Sequence, residues 1–322
     1  MNKVLELKNF NVTYKNKDKR VYAVKNASFT INKGDSLGIV GESGSGKSTM
    51  ATALLRLLSQ KTADISGEAI FLGENLVTMS EEELQDIRWN KLAVVFQKSM
   101  NSLSPVHRIG AQIEDIYKVH KPKATKKEIY DKVCYLLKLV NLSERVYKLY
   151  PHELSGGMLQ RVSIAISLIH NPSLLILDEA TTALDVVTQG QILDEIVKME
   201  NELDMTRIMI THDMSVVSAS CNKIAVMYAG EFMEVGYVKE ILKNPKHPYT
   251  QGLLKSFPAL KGEKTELKAI EGSLPDLSKE YNSCVFAPRC QFAKEKCFKR
   301  KPKSIEFNDG RTVSCFLYGG EK

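Results

Sequence analysis

Hydrophobic and polar residues alternate along residues 4–14 and again along 22–31, with the polar run Lys-Asn-Lys-Asp-Lys-Arg between them. That pattern predicts two strands joined as a hairpin. Residues 36–40 form a short apolar run that ends in a cluster of glycines. The period then changes, and Met50, Leu54, Leu57 and Leu58 recur at helical spacing over 46–58. Further short apolar runs at 68–72, 92–96, 174–177, 207–210 and 224–227 read as strands. Between the runs at 92–96 and 174–177, Ile129, Val133, Leu136, Leu137 and Val140 mark a helix over 126–140, and further helices are expected after Ser155 and over 189–202. Strands alternating with helices predict an α/β fold, a largely parallel sheet with helices on both faces, preceded by an antiparallel portion. After about residue 243 the pattern breaks down and Pro245, Pro248, Pro258, Pro275, Pro288 and Pro302 are scattered through the chain, which places a boundary near 238–243. There is no tandem repeat and no low-complexity tract.

Two motifs sit where this pattern makes them chemical. Gly41, Glu42, Ser43, Gly44, Ser45, Gly46, Lys47, Ser48 and Thr49 fit GxxxxGK[ST], after an apolar strand and at the opening of a helix. Such a loop turns backbone N–H groups around phosphates, its lysine reaches the terminal phosphate oxygens, and its serine offers a hydroxyl to Mg2+. Leu174 to Leu177 form an apolar strand that delivers Asp178 and Glu179 at its C-terminal end, the edge at which open α/β sheets bind ligands. One carboxylate there suits a Mg2+ shell, and the other suits a general base acting on water.

Leu154, Ser155, Gly156, Gly157 and Met158 lie about twenty residues before Asp178. At this point the sequence resembles the ATP-binding-cassette (ABC) ATPases, whose signature is LSGGQ, with Met158 in place of the usual glutamine. The resemblance covers about residues 1–240. It implies a P-loop nucleotide-binding domain with an antiparallel β portion, a RecA-like parallel-sheet core and a helical subdomain at about 100–165. It also implies ATP and Mg2+ as cofactors and a head-to-tail pair of ATPase subunits. By the same resemblance Tyr14 stacks on adenine, Gln97 contacts Mg2+ and the attacking water, Ala183, Leu184 and Asp185 form the loop that couples two sites, and His212 senses the terminal phosphate. Lys47, Gln97, Glu179 and His212 are thereby the expected catalytic residues, and Ser48, Gln97 and Asp178 the expected Mg2+ ligands.

His247, Pro248, Tyr249 and Thr250 follow the cassette, and with Leu253, Leu254 and Pro258 they resemble the C-terminal extension of oligopeptide and dipeptide importer ATPases, a branch that includes nickel transporters. That extension, here 241–322, ends in a cysteine motif matched by Cys284, Cys290, Cys297 and Cys315, with Ser283 and Phe316 where glycine and histidine are common. Four thiolates can hold zinc or an iron–sulfur cluster; the resemblance implies [4Fe–4S]. Paired CxxC knuckles are absent, and Cys134 and Cys221 read as core residues. The expected partners are two integral-membrane permease subunits, docking on 101–140, a second ABC ATPase subunit that is a related chain or the same one, and, indirectly, an extracellular solute-binding protein. An importer ATPase for nickel or another small solute is the alternative within the branch, and a soluble ABC ATPase that remodels nucleic acid or a protein complex is the alternative from another class.

Composition narrows these readings. The 322 residues are 43% hydrophobic and 26% charged, ample for a core. No run approaches the roughly 18 apolar residues of a membrane span, and no signal peptide is visible, so the chain is expected at the cytoplasmic face of the membrane, held there by its permease. The net charge of +7 is concentrated: residues 240–322 carry 16 Lys and Arg against 10 Asp and Glu, leaving the cassette almost neutral. A neutral cassette gives no support to a nucleic-acid ligand.

Overall fold

In the computed structural model, residues 2–16, 19–97, 99, 102–182, 184–256 and 270–319 are described; Ala183, Pro258 and the first residue of the expected docking region lie outside them. The chain forms two compact units, one made mainly of residues 79–208 and the other of 3–31, 35–78 and the chain from 209 onward.

The second unit begins with the expected antiparallel portion. Strand Lys3–Asn16 lies between Lys19–Asn32 and Ala63–Phe71, with Glu74–Asn75 at the edge. Leu5, Leu7, Phe10 and Val12 supply its buried face. The alternation slips between Lys8 and Asn11, where the register shifts. Gly67 has φ +87 there, and a Cβ on it would sit 2.1 Å from the Asn9 carbonyl oxygen, so only glycine fits. Strand Ser36–Val40 pairs in parallel with Lys223–Tyr228, which pairs antiparallel with Glu231–Tyr237, and that strand in turn with Thr312–Val313. The helix expected over 46–58 spans Lys47–Leu54. Arg56, at φ +49, turns the chain out of the helix and leaves Leu57 half exposed.

Residues on both sides of position 240 share one core in this unit. Val40, Tyr228 and Met233 pack with Ile241, Tyr249, Val285 and Phe286, and Leu274 and Leu277 cover them. A proline-rich stretch with few apolar residues cannot bury enough surface alone, so it condenses on the sheet. Buried Glu234 fastens it further. It accepts from the backbone N–H groups of Lys246 (2.9 Å) and His247 (2.9 Å) and pairs with Arg311 at 3.4 Å.

The first unit pairs strand Leu92–Val95 in parallel with Leu174–Asp178. Its helices are Glu81–Ile87, Ile109–His120, Lys126–Leu139, Gly156–Ser167 and Val186–Leu203. Ile129, Val133, Leu136 and Leu137 are buried as their spacing predicts. Helix Val186–Leu203 starts three residues before the expected 189 because Asp185 caps it. Among the described residues no helix is long and apolar enough to cross a membrane.

His170 in this unit gives a pH-dependent prediction. Tyr117 stacks on its ring at 5.2 Å and His120 meets it edge-on at 5.0 Å, while Nε2 is buried with no hydrogen-bond partner among the described residues. Burial first, and then the charge on His120, pull its pKa from the ordinary 6.5 to about 4. Between those values the unfolded chain binds a proton that the folded chain refuses, so stability is full above about pH 6.5 and declines as pH falls towards 4. Urea midpoints measured at pH 7.5 and 5 should fall further in the wild type than in His170→Phe. Equal slopes would remove His170 as the cause.

Candidate functional site

The second unit carries the glycine loop. Strand Ser36–Val40 is buried along its whole length and delivers Gly41 into the loop. Gly46 closes the loop at φ +104, where a Cβ would meet the Ala23 carbonyl oxygen at 2.0 Å. That glycine is also the N-cap of helix Lys47–Leu54 and offers no side chain to cap it, at the end of a helix where the dipole favours an anion. Lys47 is buried, and its Nζ donates to the carbonyl oxygens of Gly41 (2.8 Å) and Glu42 (2.9 Å). Ser43, Gly44 and Ser48 are exposed, whereas Ser45 is buried and its carbonyl accepts from Gly230 N–H at 2.9 Å. Tyr14 is half-buried with its hydroxyl 3.3 Å from Thr49 Oγ1, which sets its ring beside the first helical turn. In the same unit the exposed His212 follows the buried strand Thr206–Thr211, whose last three residues belong to this unit, and Asp213 caps the next helix, Met214–Ser220.

The first unit carries the carboxylates. Asp178 is buried at the end of strand Leu174–Asp178. Glu179 follows at φ +48, a conformation uncommon for a residue with a Cβ, and the Thr182 hydroxyl bonds its carbonyl at 3.0 Å. The turn carries Glu179 out of the strand, and Gln97 Nε2 donates to its Oε2 at 2.6 Å. Strain held in place beside two chemically useful groups is the pattern expected of a functional turn.

The signature segment lies in this unit as well. Ser155 caps helix Gly156–Ser167 by accepting from Met158 N–H, and Leu154 is buried beneath it. Gly156 is exposed, and a Cβ there would meet nothing within 4 Å, so no contact among the described residues requires glycine. Asp185 is engaged as a cap: it accepts from the N–H groups of Val187 and Thr188 and from the Thr188 hydroxyl at 2.7 Å, and the bonds from Thr188 hold its carboxyl below the usual range.

The four tail cysteines line one cavity of about 20 Å³, together with His247, Pro248 and Phe316. Burial pushes the Cys284 thiol up to about 12 and raises those of Cys290 and Cys315, so these three are protonated as they stand. Among the described residues no group of three or more His, Cys, Asp or Glu side chains is arranged to hold a metal ion. The metal expected from the cysteine motif therefore has no support in the donor arrangement: the thiols converge on one cavity, but they do not close on an ion.

Sequence reasoning missed the residues that brace the glycine loop. Tyr249, fully buried, accepts at its hydroxyl from Glu42 N–H at 3.1 Å, and Arg289 Nη1 reaches both Glu42 carboxylate oxygens at 2.9 and 3.0 Å. His247 explains its own place in the motif. Burial lowers its pKa to about 3, so it is neutral, with Nδ1 accepting from Tyr249 N–H at 3.0 Å. Both Tyr249 and Arg289 stand in motif segments, but contacts more than two hundred residues apart in sequence leave no local signal.

Comparison with known proteins agrees with both parts of the chain. Residues 24–182 match the family described as ABC transporter, and residues 233–297 match that described as oligopeptide/dipeptide transporter, C-terminal region. The chain is 43% identical over 319 residues to the oligopeptide transport ATP-binding protein OppD of Haemophilus influenzae, covering 98% of each chain. It is 41% identical to AppD of Bacillus subtilis, an oligopeptide transport ATP-binding protein, over 100% of this chain and 98% of that one. Among solved structures, the dimeric, ADP- and phosphate-bound ATP-binding cassette MJ0796 aligns with a TM-score of 0.65 at 31% identity, over 73% of this chain and 98% of that one.

Proposed function

The chain belongs to the ABC transporter family, and from that premise we propose that it is the ATP-hydrolysing subunit of an importer for oligopeptides or dipeptides. The observation that carries the reading is the single core shared by Val40, at the end of the strand that leads into the glycine loop, and the oligopeptide-type C-terminal region, with Tyr249 bonded to the loop itself. Full-length likeness to proteins named for oligopeptide transport supports the substrate class.

In this reading Lys47 and the loop N–H groups bind the phosphates of ATP, and Tyr14 meets the adenine. Ser48, Gln97 and Asp178 are hard oxygen donors of the kind that suit Mg2+, which when bound would neutralise phosphate charge. The Gln97 amide nitrogen is committed to Glu179, so its carbonyl oxygen is the atom left for a cation. Glu179 takes the proton from the attacking water, and His212 contacts the terminal phosphate. A second ATPase subunit presents its own Leu154-to-Met158 equivalent to this nucleotide, and this chain's segment serves the partner. That arrangement gives the exposed, contact-free Gly156 a use: a backbone that must let a phosphate approach. ATP closes the pair of subunits because it binds the closed state more tightly, and hydrolysis releases it.

The permease pair docks on the region that includes helices Ile109–His120 and Lys126–Leu139, where Val106 and Val119 are exposed. This places the chain at the cytoplasmic face of the membrane, with an external solute-binding protein as an indirect partner. A [4Fe–4S] cluster on Cys284, Cys290, Cys297 and Cys315 is proposed from the resemblance of the tail alone, because the four thiols share one cavity without closing on an ion.

Purification of the tagged chain from detergent-solubilised membranes tests the assignment. Two integral membrane proteins should copurify, and vesicles holding the complex should take up labelled peptide only with ATP. Capture of soluble partners alone, with turnover stimulated by DNA or RNA, would replace the importer by a remodelling ATPase. Iron and acid-labile sulfide near four each per chain are expected in the same preparation; zinc, or neither, would remove the cluster.

A further inference from the structure

Glu42 places a carboxylate in a loop that has to receive a polyanion, and its pairing is built in full from the C-terminal region. Arg289 spends every nitrogen of its guanidinium on this place. Nη1 bonds both oxygens of Glu42 and the Tyr228 hydroxyl at 3.2 Å, Nη2 donates to the Ile270 carbonyl at 2.9 Å, and Nε donates to the Glu271 carbonyl at 2.8 Å. The guanidinium also lies over the Tyr228 ring, 5.6 Å from its centre. Its side chain is only 6% exposed, while that of Glu42 is 28% exposed. A planar fork with five donors can serve acceptors in these several directions at once, which an ammonium cannot. The arginine is the last residue of the turn Ala287–Arg289 and precedes Cys290, so its position is set by the folding of the cysteine-bearing segment.

We infer that Arg289 is a positioning residue for the ATP site: it cancels the charge of Glu42 and holds the glycine loop, so that nucleotide affinity depends on the folded cysteine-bearing tail. The inference rests on the reading that the loop binds ATP. Without the arginine, an unpaired carboxylate faces the incoming phosphates and repels them. A salt bridge that only stapled the tail to the sheet would not make affinity depend on the charge at position 42.

The test is equilibrium binding of a fluorescent ATP analogue to the full chain, with thermal melting as a check on folding. Arg289→Ala should weaken binding roughly tenfold at low salt, the scale of one uncompensated charge near a surface. Adding Glu42→Gln to that variant should recover most of the loss. Glu42→Gln alone needs no change in the tail and keeps the test open if Arg289→Ala fails to fold; it should bind the analogue at least as tightly as wild type, with any gain fading at high salt. Unchanged affinity in Arg289→Ala, no recovery in the double variant, or weakened binding by Glu42→Gln each overturns the inference. A wild-type chain that binds no nucleotide fails the ATP reading itself, which separates the two failures.

Discussion

Replacement of Glu179 by glutamine should abolish ATP turnover and leave ATP bound. The substitution keeps the size of the side chain and its hydrogen-bonding reach, so the turn at φ +48 and the contact with Gln97 have no steric reason to change. What is lost is the negative charge that accepts a proton from water. A positioned general base contributes on the order of 10²–10⁴ in rate, so kcat should fall by that factor while the dissociation constant for ATP stays within about threefold. In the proposed cycle hydrolysis releases the closed pair of subunits, so the variant should accumulate as an ATP-bound dimer, visible by size-exclusion chromatography with Mg2+ and ATP. A variant that keeps a tenth of the wild-type kcat would remove Glu179 from the role of base.

Lys47→Ala acts earlier, on binding. Its amine now joins the carbonyls of Gly41 and Glu42, with Ser45 Oγ at 3.4 Å, so it is already placed at the centre of the loop. Alanine removes the buried cation that would face the phosphates and leaves two loop carbonyls short of a donor. Hydrogen bonds to charged groups are worth about 1.5–3 kcal/mol, which corresponds to a loss in ATP affinity of roughly 10- to 100-fold. Titration with labelled nucleotide measures it, and transport by the assembled complex should stop. Affinity within twofold of wild type would show that phosphate binding does not pass through this lysine. The two variants therefore separate: one binds without turning over, and the other loses affinity at the binding step.

Much of the fold and of the candidate site was legible in the sequence because its signals are local. A period of two marks 4–14, a period of 3.6 marks 126–140, and the loop from Gly41 to Thr49 carries its own strand-to-helix context. Boundaries were less legible where one residue decides them: Arg56 ends a helix early by its left-handed turn, and Asp185 begins another early by capping it. The tail was the least legible part. Its prolines and scattered apolar residues have no period, so Tyr249 and Val285 could not be assigned to the core that Val40 begins.

By itself, then, the sequence determined the α/β class and the kinship of the cassette and the tail, and it marked the glycine loop with Lys47, the carboxylates Asp178 and Glu179 and the segment from Leu154 to Met158 as candidates, since each is written in neighbouring residues. Only the tertiary structure decided that Glu42 is held by Arg289 and Tyr249, that no contact among the described residues requires Gly156 to be small, and that four cysteines spread over 284–315 face one cavity without closing on an ion. The physical reason is common to all three. Charge pairing, close approach and ligand geometry depend on distances between groups far apart along the chain, and those distances exist only once the core has formed.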